Sequence, residues 1–163
     1  MNIKTSQMNS LINHEDQVIV SWGESYATGI EQIDKQHKEL VNLTNELYHA
    51  CLNGTETVEV AFKTALSKLV EYVRFHFTVE LELLKRVNYP NYNEHKKQHD
   101  TLIMNILEAS KDYGGSRKFI AHKFVRTLKD WVFGHIAFSD KAYSAYIHEQ
   151  KHKGILSDKQ INP

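Results

Sequence analysis

The chain has 163 residues and equal numbers of Lys+Arg and Asp+Glu, so its formal net charge is zero with His counted neutral. That length suits one domain with a real core, and the charge balance excludes a global field that would favour nucleic acid or an anionic membrane. No apolar run approaches the roughly 18 residues needed to span a bilayer, no secretory leader is expected, and a lone cysteine, Cys51, excludes an internal disulfide framework and points to a reducing, cytoplasmic setting.

Two prolines and seven glycines are few, which favours helices, whereas ten histidines are many and need an account. Residues 1–17 are polar and mixed, and read as an N-terminal extension that need not be ordered. "VIVSWGESYATGI" (18–30) is apolar enough to pack on a core but lacks helical period, so it reads as an irregular arm. The first helix is predicted from about Asp34 to Leu52 on the stripe Ile33, His37, Leu40, Thr44, Leu47, Cys51. Asp34 can cap its start, and Asn53-Gly54 stops it. The second runs from about Val58 to Val87 on Phe62, Leu66, Leu69, Val73, His76, Glu80 and Leu84, and Pro90 ends it.

The third helix is predicted from about Asn91 to Tyr113 on Tyr92, His95, His99, Leu102, Ile106, Ala109 and Tyr113. "GGS" (114–116) breaks it, and Ser116 can cap the fourth, which runs from about Arg117 to Glu149 with Phe124, Leu128, Trp131 and His135 on its early stripe. Residues 150–163 are polar and are expected to form a loose tail. No segment has useful strand period. Single apolar stripes joined by short connections predict an all-α chain, an up-down-up-down antiparallel four-helix bundle over 18–149 behind an irregular N-terminal arm.

Each predicted helix places ionisable groups on or beside its stripe: His37 on the first, His76 and Glu80 on the second, His95 and His99 on the third, His135 and Asp140 on the fourth. Buried and unpaired, each would cost kilocalories or lose its charge. His76/Glu80 and His95/His99 are four apart, about 40° in direction on a helix, and close on one site. Counting residues from each turn puts all seven at comparable depth. A single buried histidine is ordinarily a satisfied core residue; four helices contributing at one depth point instead to a metal centre. His135 and Asp140 are five apart, about 140° on an ideal helix. Either they reach in from opposite edges of a broad stripe or the helix carries a π-bulge, which Gly134 would ease; the reading leans to the bulge. His14, His49, His122, His148 and His152 lack stripe placement or partners and read as surface residues.

Seven donors are too many for one tetrahedral zinc. Imidazole with carboxylate suits iron and poorly suits calcium or magnesium. Two ions sharing Glu80 and Asp140 as bridges would use every residue. With one solvent-derived bridging oxygen, six-coordinate ions would leave one position open for a small molecule.

The segments "IDKQH", "HFTVE", "YPNYNEHKKQH" and "HIAFSD" resemble the metal-ligand segments of the hemerythrin family, particularly its bacterial single-domain form, and "SWGESYATGI" is similar to the arm before its first helix. The resemblance spans about residues 20–147. It implies a non-haem diiron centre, with His95, His99 and His135 on one iron, His37 and His76 on the other, and Glu80 and Asp140 bridging. It also implies Fe2+/Fe3+ cycling, a bridging oxo or hydroxo group, and reversible O2 binding at the iron with two histidines. By position, Leu40, Phe77, Trp131, Val132 and Ile136 are candidates to line the O2 pocket, and Tyr143 is a candidate donor to the ligands.

The expected role is oxygen storage, delivery or buffering by a non-enzymatic monomer whose ligand is O2, with no nucleic-acid or membrane partner. The alternatives are an oxygen or redox sensor acting on a protein partner, a diiron peroxide or nitric oxide reductase, and an iron store. An enzyme would want a polar proton-delivery residue at the open position, and none stands out among the pocket candidates.

Overall fold

A stripe that repeats every three or four residues is buried only when another stripe faces it, and the four long stripes of this chain meet one another. In the computed structural model, which describes residues 18–52, 57–111 and 117–162, four long rods form the bundle. They are α1 (Glu31–Leu52), α2 (Thr57–Arg86), α3 (Tyr92–Lys111) and a fourth rod. The fourth is composite: α4 (Arg117–Gly134), a π-helical stretch His135–Asp140, and α5 (Lys141–His152). α1 packs against α2 and α4, and α2 against α3. Among the described residues there is no strand, and no helix is long and apolar enough to cross a membrane.

Helix ends show where local chemistry acts. α1 starts at Glu31, so Asp34 lies inside its first turn and is not the cap that the sequence suggests. Its carboxylate reaches back to the arm and accepts from the Thr28 N–H at 2.6 Å, the Thr28 hydroxyl at 2.8 Å and the Gly29 N–H at 3.0 Å. Gly29 makes that turn at φ 74°, where a side chain would be strained. α2 does not stop because of Pro90. Asn88 takes the left-handed conformation at φ 53°, Tyr89 N–H donates to Leu84 O and Asn88 N–H to Lys85 O, a Schellman stop two residues before the proline. The stops expected at Asn53-Gly54 and at 114–116, with the cap expected of Ser116, lie outside the described residues, as do residues 1–17.

The arm holds to the bundle through polar grips. Asn45 Oδ1 accepts from the backbone of Ile19 and Val20, and its amide returns a bond to Val20 O. Lys141, Ser144 and His148 donate to the carbonyls of Ala27 and Thr28, so His148 has a partner that the sequence reading missed.

The tail is not loose. α5 ends in a second Schellman turn at Gly154, φ 71°, and a short helix, α6 (Asp158–Ile161), follows. Leu156 and Ile161 are buried in the core, and Arg86 Nε donates to Gln160 O at 2.6 Å. Two apolar residues spaced across a capped turn suffice to dock a segment whose average composition is polar.

The core has two apolar clusters. One gathers Leu47, Phe62, Leu69, Ile106, Val125 and Leu128 with their neighbours; the other, at the end near Pro90, gathers Ile33, Leu84, Val87, Tyr143 and Ile147. Near the junction of the two clusters, on every rod, sit the buried histidines and carboxylates.

Candidate metal centre

All seven predicted donors are buried, from 0 % exposed for His37, Glu80 and Asp140 to 7 % for His135. The four rods bring them into one layer. Nε2 of His95 lies 3.3 Å from Glu80 Oε1, and Nε2 of His99 lies 3.3 Å from Glu80 Oε2. His76 Nε2 approaches the same Oε2 at 3.4 Å. His37 Nε2 is 3.1 Å from Asp140 Oδ2, and His135 Nε2 is 3.0 Å from Asp140 Oδ1. Glu80, His95, His99 and His135 have donor atoms all within 4.8 Å of one another. The His37 and His76 rings meet edge-on at 4.9 Å.

His135 and Asp140 converge because the fourth rod is π-helical between them. Lys141 N–H reaches back to Ile136 O, five residues earlier, and that wider turn returns residue i+5 to the face of residue i. Gly134 is not the cause: its φ −61° and ψ −44° are ordinary helix.

The donors are tightly gathered yet unsatisfied. Both oxygens of Glu80 and of Asp140, and Nε2 of His37 and of His95, are buried without a hydrogen bond. Buried groups of this kind are normally paired. His99 Nε2 and His135 Nε2 face each other at 2.9 Å. Two nitrogens at right angles on one ion, each about 2.1 Å from it, would be about 3 Å apart. Orphaned oxygens, inward Nε2 atoms and an imidazole-rich donor set together fit one or more first-row metal ions.

The electrostatics agree. Burial pushes the His76 imidazole down to about 4 from 6.5, only partly offset by Glu80. Burial lowers His99 as well, again against Glu80. Burial would raise Glu80, but the imidazoles of His95 and His99 hold its carboxyl well below the usual range. Asp140 is raised by burial and by Glu80, yet His135 and His37 keep it below its ordinary value. Burial would lower His135, but Asp140 outweighs it and raises the imidazole. The site thus favours ionised carboxylates, and at His76 and His99 it favours the neutral imidazole that a metal requires.

Gln36 is a residue that sequence reasoning missed. Buried and off the α1 stripe, its Oε1 lies 2.9 Å from His76 Nδ1. That contact fixes the proton on Nδ1 and turns Nε2 inward. Its only signal was its place beside His37. Tyr143 is fully buried with its ring 5.5 Å from His95, and its hydroxyl makes no hydrogen bond. Burial first, then Glu80 and Asp140, raise its pKa well above the usual value, so it stays protonated. Phe77 stacks on His99 at 3.6 Å between ring centroids, and Trp131 stacks on His135 at 4.7 Å.

The five pocket candidates Leu40, Phe77, Trp131, Val132 and Ile136 line one small cavity, together with Val73, Leu102 and the donors His76, His135 and Asp140. About 10 Å³ of it is open to the centre of a water-sized molecule. That is near the lower limit for holding one such molecule. Of the histidines read as surface residues, His49 is half-buried beside Tyr48, and His148 and His152 are exposed. His14 and the side chain of His122 lie outside the described residues.

The chain is similar to known proteins over this whole region. The family described as hemerythrin HHE cation binding domain matches residues 28–147. A bacteriohemerythrin of Pseudomonas aeruginosa is 32% identical over 128 residues, covering 75% of this chain and 77% of that one. A bacteriohemerythrin of Stenotrophomonas maltophilia is 28% identical over 126 residues, covering 77% and 80%. A crystal structure of wild-type hemerythrin superposes with a TM-score of 0.70 at 24% identity, covering 78% of this chain and 96% of the other, and supports the four-helix bundle fold. With the family matched from the end of the arm to the end of the bundle, this chain belongs to the hemerythrin family.

Proposed function

We propose that the chain holds a pair of iron ions in the seven-donor layer and binds O2 reversibly beside them, as an oxygen store, carrier or buffer. The observation that supports this best is the buried layer itself: five imidazoles and two carboxylates, with both carboxylates and the Nε2 atoms of His37 and His95 lacking a hydrogen-bond partner. In this reading His95, His99 and His135 hold one ion and His37 and His76 the other, with Glu80 and Asp140 shared between them. When bound, a ferrous pair supplies the two electrons that reversible O2 binding draws on.

The protein's own residues do the rest. Gln36 orients His76. Phe77 and Trp131 brace His99 and His135 by stacking. Leu40, Val73, Phe77, Leu102, Val132 and Ile136 make the wall of the cavity apolar, which disfavours water beside the open position and slows loss of the oxygenated state. Among the described residues, and apart from the donors themselves, that wall has no carboxylate, amide or hydroxyl to deliver protons, which favours binding over turnover.

The test is elemental analysis of the purified protein together with optical spectra under O2 and after its removal. Two irons per chain and a spectrum that appears and disappears with O2 are expected. A folded protein that takes up no iron, or that consumes peroxide and a reductant catalytically without reversible O2 binding, would overturn the proposal.

A further inference from the structure

Two openings meet at the fourth rod. One is the buried cavity. The other is a surface cleft of about 390 Å³ lined by Gln98, Thr101, Asp130, Trp131, Gly134, His135 and Ser139. Trp131 and His135, whose rings stack on each other, line both openings. The cavity's other apolar lining residues, Leu40, Val73, Phe77, Leu102, Val132 and Ile136, are each at most 7 % exposed. Trp131 is the one lining side chain that is more than marginally exposed.

Gly134 is the anomaly. Glycine is unfavourable inside a helix and is usually kept for a left-handed conformation or a close approach. Neither applies here. Its backbone is right-handed helix, and a Cβ built on it would meet nothing within 4 Å. What the missing side chain does leave open is the cleft that Gly134 lines.

We propose that small ligands reach the cavity from this cleft, passing Trp131 and His135, and that the bare backbone at Gly134 sets the size of what enters. The ligand class is a diatomic such as O2 or a slim linear anion such as azide. The inference rests on the O2-binding reading of the same site.

The test is Gly134→Leu in the iron-loaded protein, with O2 and azide followed by stopped-flow absorption. A narrowed route raises one barrier that is crossed in both directions. Association and dissociation should therefore slow by the same factor, roughly tenfold, leaving the equilibrium constant unchanged. Gly134→Ala, which adds a single methyl group to the cleft, should slow both rates by a smaller common factor. A second readout needs no bound ligand. With Trp22→Phe, Trp131 is the only tryptophan, and adding Gly134→Leu should lower acrylamide quenching of its fluorescence several-fold.

Parental rates in Gly134→Leu would overturn the route, and so would quenching that does not change. A shifted equilibrium constant without matched rate changes would also overturn it, because the side chain would then act on the site. Should the parent bind azide but not O2 reversibly, the O2 reading fails while the azide rates still decide the route.

Discussion

α3 and the fourth rod deliver two donors each to the same layer by different means. His95 and His99 are four apart on a regular helix, and ordinary helical geometry puts both on one face. His135 and Asp140 are five apart, and only the π-helical turn aligns them, with Asp140 Oδ1 3.0 Å from His135 Nε2. The lesson is that a binding layer constrains direction and depth, while spacing is free to vary wherever the backbone can absorb an extra residue.

That comparison can be broken directly, and the largest effect is expected from single-residue deletions. Removing exposed Lys97 from α3 leaves no bulge to absorb the change. Everything beyond it turns by about 100°, Leu102 and Ile106 leave the core, and iron uptake and folding are lost, as read by iron content and circular dichroism. Removing Phe138, which is 78 % exposed, converts the π stretch to regular helix, leaves the histidine and aspartate four apart, and should keep iron at the parental level. Loss of iron in the second deletion would show that the wide turn itself is required.

Acid should act next most strongly, through the layer rather than through one rod. The His76 imidazole titrates near 4 in the fold against 6.5 when unperturbed. Its neutral form therefore stabilises the metal-free fold fully above about 6.5, and that contribution is lost as pH falls toward 4, up to about 3 kcal/mol. Glu80 and Asp140, both lowered, lose stability in the same direction. His135, raised, works the other way, its contribution fading as pH rises through its own value. Denaturant unfolding of metal-free protein at several pH values checks this; a midpoint that holds steady down to pH about 4 contradicts it.

Smaller effects sharpen the comparison on single side chains. Gln36→Leu removes the partner of His76 Nδ1 and should weaken iron retention roughly ten- to a hundredfold in chelator competition, with the bundle intact. Unchanged retention would mean that packing alone holds the ring. Gly134→Ala should stabilise the protein by about 0.5–1 kcal/mol in denaturant unfolding, since the backbone there is ordinary helix and the space is open. Destabilisation would tie the glycine to the π turn after all.

Much of this was legible before any coordinates, because it depends on periodicity and on the cost of burying polar groups. Stripes at three- and four-residue steps specify which face of each helix is buried, so Leu47, Leu69 and Ile106 were identifiable as core. An imidazole or carboxylate on such a stripe cannot be left alone there, so His37, His76, Glu80, His95 and His99 announced a shared site. What the tertiary structure decided were contacts between residues far apart in the chain and choices between nearly equal local conformations. Gln36 meets His76 across 40 positions. Asp34 turns back to grip the arm, Asn88 stops α2 ahead of Pro90, and Leu156 and Ile161 dock a tail whose average polarity suggested solvent. The π turn is of the same kind. It is a small local cost that a regular helix would avoid, accepted because it brings Asp140 to His37 and His135 in the layer where the other rods already meet.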